Sequence, residues 1–354
     1  GVNTVLTEHT EKLNAIGAPD DPVPFGTIFT GMIFANLFYW CTNQYVIQRT
    51  LGAKNLAEGQ KGVLLSGYFK LLVPFLMMLP GVIAFHLYQT SSLETIDMAY
   101  PKLVKDVLPL SLAGFFLAVL LGTVFSSFNS LLNSAATLFC LDVYAPMKKD
   151  KVSDAQLIKV AKIASVIIAL FSFVVAPLLM LAPEGLWQII RVFTGFYNIP
   201  VITIVIIGLF TRKVPAIAAK TVIVFHVIAY GLLKFVFDVD VNFIHIYAIL
   251  FLTETLIMLA FGYFKPSDEP QFYHHKKTVD LVPWRYAHPV AITLVALIII
   301  SYLFFSPFGV VGEELSLFYI LSALILTLNI GLCFYAVKRW KRRYLSPTKQ
   351  VLMS

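Results

Sequence analysis

"NLFYWCTNQYVIQRTLGAKN", residues 36–55, follows the apolar approach "GTIFTGMIFA", residues 26–35. Together they place Asn36, Trp40, Thr42, Asn43 and Gln44 inside a stretch that reads as a bilayer-spanning helix. Polar side chains there raise the free energy of insertion unless something satisfies or uses them. Asn36, Tyr39, Trp40 and Asn43 stand at i, i+3, i+4 and i+7, so they share one helical face. That face suits a sugar, whose hydroxyls take amide partners and whose C–H faces lie on aromatic rings. It equally suits interhelical hydrogen bonding with interfacial aromatics.

The rest of the chain fixes the class. Of its 354 residues 58% are hydrophobic and 13% are charged, against about 25% charged in soluble domains. The apolar residues come in long blocks, such as "VAITLVALIIISYLFF" and "LSALILTLNIGLCFYAV". A helix needs roughly 20 such residues to cross the hydrocarbon core. These blocks do not alternate as barrel strands do. The chain is therefore an all-α polytopic membrane protein. Nine spans are expected, near 25–46, 63–88, 108–145, 156–181, 185–211, 216–239, 241–264, 289–309 and 315–337. The third exceeds one crossing, so a helix lying outside the bilayer is expected at its start.

Charge orients the spans. Lys and Arg collect in cytoplasmic loops. One set of connections holds Arg49, Lys54 and Lys61, then Lys148 to Lys162, Arg212 to Lys220, Lys265 to Arg285, and the tail Lys338 to Lys349. The other holds Lys12, Lys102 and Lys105. The C-terminus is expected inside and residue 1 outside. The net charge of +7 reads as this topology signal and not as nucleic-acid binding. A chain that begins outside, on Gly1, predicts a further block before it, with an odd number of spans if the native N-terminus is inside. Cys41, Cys140 and Cys333 are far apart in apolar spans, and no disulfide is expected. His274 and His275 stand in a polar loop beside Lys276 and Lys277, without further ligands at metal spacing.

Three more polar sets interrupt the apolar runs. Lys70 lies about eight residues into the second span, roughly 12 Å of helix rise from its cytoplasmic end. It either snorkels to the interface or has a function within the membrane. In "LAGFFLAVLLGTVFSSFNSLLNSAATLFCLDVY", Thr123, Ser126, Ser127, Ser130, Ser134 and Thr137 form a helical stripe. Hydroxyls and carbonyls are hard ligands fit for Na⁺, but small residues also line close helix contacts. Spacing alone points first to packing. In the fifth span, Gln188, Arg191, Gly195, Asn198 and Pro200 break the apolar run. A loosened helix is expected there, as in secondary transporters with discontinuous helices.

At these residues the chain resembles a known family. "NLFYWCTNQYVIQRTLGAKNLAEGQKG", the Lys of "GYFKLLVPFLMMLPG" and "SSFNSLLNSAATLFCLDVY" are similar to the sodium/solute symporters, most of all their sodium/glucose and sodium/galactose branch. The likeness runs through most of residues 20–265 and thins beyond. It implies a leucine-transporter-like fold of two inverted five-helix repeats, with the first repeat missing from this chain. Residues 1–24 would be an extracellular segment and 25–211 the second repeat. Residues 212–337 would be peripheral helices and 338–354 a cytoplasmic basic tail. Six spans would precede them, which fits an outside N-terminus.

The resemblance also implies roles. Asn36 matches the sugar-binding Asn, Tyr39 the Tyr that caps the sugar on the cytoplasmic side, Trp40 its neighbour, and Lys70 the sugar-contacting Lys. Thr123, through its carbonyl, and the hydroxyls of Ser126 and Ser127 match the sodium ligands. Thr123 stands where the family has a small apolar residue, a minor change if the backbone binds. One departure counts more: the family's sugar-contacting Gln aligns with Arg191, and Gln188 lies one turn away. Arg191 would favour an anionic ligand or an acidic partner. Near it the sequence offers Glu184, at the span mouth and on the same face, and no acid within the adjacent spans. The expectation is a Na⁺-coupled symporter in the cell membrane for a sugar or polar solute. The alternatives are an anionic sugar or carboxylate as substrate, and a sensor that does not transport. With no HExxH, GxSxG or paired intramembrane carboxylates, an enzyme is not expected.

Overall fold

Asn43, Asn55 and Asn242, and Pro109 and Pro215, stand at the starts of five helices. The computed structural model describes residues 10–88, 96–148, 152–179, 186–237, 239–267, 279–312 and 314–345. Every regular element among them is helical. Among the described residues eight helices are long and apolar enough to cross a membrane. The chain is thus a multi-pass membrane protein with an all-α fold.

The segment expected as one span over 25–46 is instead a broken helix. A 3₁₀ turn covers Phe25–Phe29, and Thr30 leaves helical geometry at φ −121°, ψ −116°. Helix α1, Gly31–Leu37, then widens into π turns over Phe38–Thr42. Asn43 is extended at φ −70°, ψ 117° and starts α2, Gln44–Leu51. The tertiary contacts explain the interruption. Thr30 Oγ1 lies 2.9 Å from His245 Nδ1. A Cβ on Gly31 would collide with the Ile244 carbonyl oxygen and sit 2.7 Å from Tyr247 Cβ. Only glycine lets the backbones meet this closely, so the chain docks at Gly31 and bends on either side.

Helix α3, Leu56–Lys70, is capped by Asn55, whose side chain accepts from the Glu58 amide at 2.9 Å. It stops at Lys70 because Pro74 has no N–H for the Lys70 carbonyl. After a π turn over Pro74–Met78, α4 runs Leu79–Tyr88. The third span does not begin with a separate outer helix, since Leu110–Met147 runs on as one; a short helix, α5, Ala99–Val107, lies before the expected span instead. Pro109 forces Leu108 into an extended conformation (φ −76°, ψ 123°) and so divides α5 from α6. Helix α6, Leu110–Leu138, continues through π turns to Tyr144. Helix α7, Asp154–Leu179, opens on a reciprocal cap. The Ser153 amide donates to Gln156 Oε1 at 3.2 Å, and the Gln156 amide to Ser153 Oγ at 3.4 Å.

Helices α8, Leu186–Phe210, α9, Ala216–Phe235, and α10, Phe243–Phe264, follow. With α1 they enclose the main core, built on Phe38, Ile199, Tyr230, Ile244 and Tyr247. The last pair, α11, Ala287–Phe304, and α12, Ser316–Tyr344, pack on each other, and α11 also packs on α3. There the Tyr68 hydroxyl donates to the Val290 carbonyl at 3.0 Å. Helix α12 carries Lys341, Arg342 and Arg343 in its last turn, past the expected end of the ninth span. Cations suit the negative end of a helix dipole, so the helix persists into the basic segment. Helices α6 and α7 pair and leave rows of Leu, Ile and Phe exposed. A bilayer solvates such rows as well as protein would.

Candidate functional site

The breaks around α1 shape the surroundings of its polar face. A π turn points side chains away from the regular 3.6-residue stripe. Asn36 turns its Nδ2 back to the Met32 carbonyl at 3.0 Å and stays exposed. Tyr39 and Trp40 meet edge to face with ring centroids 4.8 Å apart. The Tyr39 and Tyr45 hydroxyls are hydrogen-bonded across the Asn43 break.

Lys70 reaches this cluster. Its Nζ lies 3.5 Å from the centroid of the Trp40 ring. Helix α3 begins at Leu56, seven residues before the expected start, so Lys70 ends a helix about 21 Å long. An ammonium over an aromatic face is stabilised by the ring quadrupole.

Arg191 projects from α8 toward α1. Its Nη2 donates to Met32 Sδ at 3.0 Å, and its guanidinium sits 5.8 Å from the Trp187 centroid. Its Nε is buried and has no hydrogen-bond partner among the described residues. A charged donor left this way is costly. Met32 thus joins the two polar sets: its carbonyl takes Asn36 and its sulfur takes Arg191. Gln188 is partly buried one turn before Arg191. Glu184, the acid considered for Arg191, lies outside the described residues, as do His274 and His275.

Thr123, Ser126 and Ser127 sit elsewhere, exposed on α6. The Thr123 hydroxyl donates to the Val119 carbonyl at 2.9 Å, and Ser130 Oγ to the Ser126 carbonyl at 2.9 Å. An Arg49 guanidinium donor contacts Ser130 Oγ and ties α2 to α6. The structure therefore brings Asn36, Tyr39, Trp40, Lys70 and Arg191 around the interrupted helix. It leaves the three hydroxyl residues on a neighbouring helix one link away.

Two expectations need correction. Helix α8 is unbroken through Pro200, so the discontinuity lies in the 25–51 segment and not in the fifth span. Side chains of α9 and α10 hold α8 about two turns ahead of Pro200. The Tyr247 hydroxyl donates to the Arg191 carbonyl at 2.7 Å and the Tyr230 hydroxyl to the Val192 carbonyl at 3.0 Å. Second, an acid does lie in an adjacent span. Glu254 of α10 is wholly buried, with His226 of α9 at 2.5 Å and Thr203 Oγ1 of α8 at 2.9 Å. These are the residues that reading the sequence passed over. The available signal was a lone His in "VIVFHVIAY" and a lone Glu in "LFLTETLIM". Neither has a partner within its own span.

The chain is thus a membrane helical bundle with one broken helix, a polar and aromatic face at the break and a lysine and an arginine turned toward it. Residues 20–221 match the sodium:solute symporter family, and the chain belongs to that family. It is 42% identical over 314 residues to YidK, an uncharacterized symporter of Escherichia coli K12, covering 89% of this chain and 55% of that protein. It is 32% identical over 261 residues to the sodium/glucose cotransporter of Vibrio parahaemolyticus, covering 68% and 47%. With sodium/glucose cotransporter 1 of Ovis aries it shares 30% identity over 235 residues, covering 60% and 35%. The chain spans about half, or less, of the length of these relatives.

Proposed function

We propose that this chain forms part of a sodium-coupled symporter that imports a sugar or sugar-like polar solute by alternating access. The observation that carries the reading is the interruption between Thr30 and Asn43, with Asn36, Trp40, Lys70 and Arg191 gathered about it. Loosened backbone within a membrane is tolerated where it lines a cavity or packs on protein. Amide, ammonium and guanidinium groups there match hydroxyl-rich ligands, and Trp40 and Tyr39 match the apolar ring face.

In this reading residues 25–211 are the second five-helix repeat of a leucine-transporter-like core, and 1–24 lie outside the cell. Residues 212–337 flank the core, and 338–354 lie in the cytoplasm. Sodium, carried as co-substrate, meets the Thr123 carbonyl and the Ser126 and Ser127 hydroxyls, with further ligands from helices outside this chain. Bound sodium and solute favour closure, and sodium loss to the cytoplasm opens the inner side. The coupling requires differential affinity between the two states. Each sodium moved inward gains about 2.3 kcal/mol per 100 mV.

Arg191 supports a second reading in which the solute is an anionic sugar or carboxylate. Its Nε lacks a partner among the described residues, and guanidinium pairs naturally with carboxylates. One experiment tests both. The full-length protein in proteoliposomes is given radiolabelled glucose, galactose and glucuronate, with and without a sodium gradient. Sodium-dependent accumulation of a sugar is expected. Binding without accumulation would replace transport by sensing. For Arg191→Gln, the ratio of neutral sugar to sugar acid should rise. An unchanged ratio removes Arg191 from substrate reading.

A further inference from the structure

Among the described residues a fully enclosed polar cluster lies away from the polar face of α1. His226, Glu254 and Thr203 are each 0% exposed and join α9, α10 and α8. His226 Nε2 faces the Gly195 carbonyl oxygen at 3.0 Å. A carbonyl only accepts, so Nε2 carries a hydrogen. The Nδ1 contact with Glu254 Oε1 then holds one proton between imidazole and carboxylate, and the pair is formally neutral whichever atom bears it. Thr203 Oγ1 lies 2.8 Å from the Ile199 carbonyl and 2.9 Å from Glu254 Oε2. Both carboxylate oxygens and both ring nitrogens are therefore occupied.

The place of this unit gives it a task. Pro200 has no N–H, so the Phe196 carbonyl lacks its helical donor, and a helix bends most easily there. Just ahead of Phe196, the carbonyls of Arg191, Val192 and Gly195 each take a hydrogen bond from α10 or α9, donated by Tyr247, Tyr230 and His226. Tyr247 reaches Arg191 only by crossing Gly195: a Cβ there would collide with the Tyr247 hydroxyl and lie 2.6 Å from its Cε1. The same α10 receives α1 at Gly31. Helix α10 thus registers both helices that present the candidate substrate residues, Arg191 on one and Asn36 on the other.

We propose that His226, Glu254 and Thr203 are positioning residues for the candidate substrate site, holding the Gly195 turn of α8 so that Arg191 is presented to α1. The inference rests on the reading of Arg191 as facing substrate. Misplacing a binding group by about 1 Å costs up to 10²-fold.

The test uses the full-length protein with Glu254→Gln, Glu254→Leu, Thr203→Val and Arg191→Gln, and the Glu254→Leu, Arg191→Gln double variant. Glu254→Gln keeps an N–H for Nδ1 and an oxygen for Thr203, so it should retain near-normal behaviour. Glu254→Leu frees Nδ1 and with it the Gly195 contact. For the preferred probe among glucose, galactose and glucuronate, half-saturation should rise roughly tenfold or more, with maximal rate changed less. The ratio of neutral sugar to sugar acid should move toward that of Arg191→Gln. Thr203→Val, the milder change, should shift both quantities the same way by less. A separate readout needs no transport: the melting temperatures of Glu254→Leu and Arg191→Gln should be non-additive in the double variant, whereas uncoupled sites add. Additive shifts overturn the proposal. So does a Glu254→Leu or Thr203→Val variant that is less stable but keeps half-saturation and preference. If the wild type accumulates none of the probes, the proposed function fails, while the melting cycle still decides whether the unit positions Arg191.

Discussion

Gly31→Ala isolates the contact on which the broken helix depends. The added Cβ would overlap the Ile244 carbonyl oxygen and lie 2.7 Å from Tyr247 Cβ and 2.9 Å from Ile244 C. Carbon atoms settle near 3.5–4.0 Å. Two of the three obstacles are backbone atoms, which cannot rotate away, so α1 must retreat from α10 by about 1 Å. Overpacking of a filled interior costs about 1–3 kcal/mol when side chains can adjust. Here the cost should reach about 3 kcal/mol or more, because the retreat also loosens Ala35 and Phe38 from Leu250 and Phe251. The control is Gly331→Ala on α12, where nothing stands within 4 Å of the new methyl. Relieving glycine's entropy there should be neutral or stabilising by up to about 1 kcal/mol. The measurement is thermal unfolding of the purified full-length variants in detergent. A Gly31→Ala protein that melts with the Gly331→Ala protein would refute the argument that glycine is what lets α1 seat on α10.

Two further substitutions address the proposed solute and ion contacts. Lys70→Ala removes the ammonium over Trp40; losing a charged hydrogen bond to a sugar hydroxyl, about 1.5–3 kcal/mol, should raise half-saturation for sugar uptake tenfold or more with folding intact. Unchanged kinetics would return Lys70 to a packing role. Ser127→Ala deletes one hydroxyl from exposed α6, and the sodium concentration for half-maximal uptake should rise by about tenfold, since lost outer partners alone weaken metal sites by 10–100-fold. Normal sodium dependence at normal surface expression rejects the assignment.

What could be read from the residues in order was local. Helix length, apolar content and the basic loops follow from bilayer thickness and from the charge of each segment, so eight spans fall within a few residues of their expected places, apart from the early start of α3 and the extension of α12. The family likeness rests on contiguous motifs and was legible for the same reason. The positions decided by contacts between distant segments were not. Nothing in "ANLFYWCTNQ" is a helix breaker by composition, yet Asn43 is extended. Pro200 is the obvious breaker, yet α8 runs through it. In the first case Phe38, in the π turns before the break, packs edge to face on Tyr197 of α8, with ring centroids 5.6 Å apart. In the second, hydroxyls and an imidazole from α9 and α10 hold α8 ahead of the turn that proline weakens. His226 and Glu254 stand 28 residues apart, and Arg191 and Met32 stand 159 apart. Lipid is as apolar as a protein interior, so a hydrophobic stripe does not say which it will face. Only the packed helices determine where polar groups find each other.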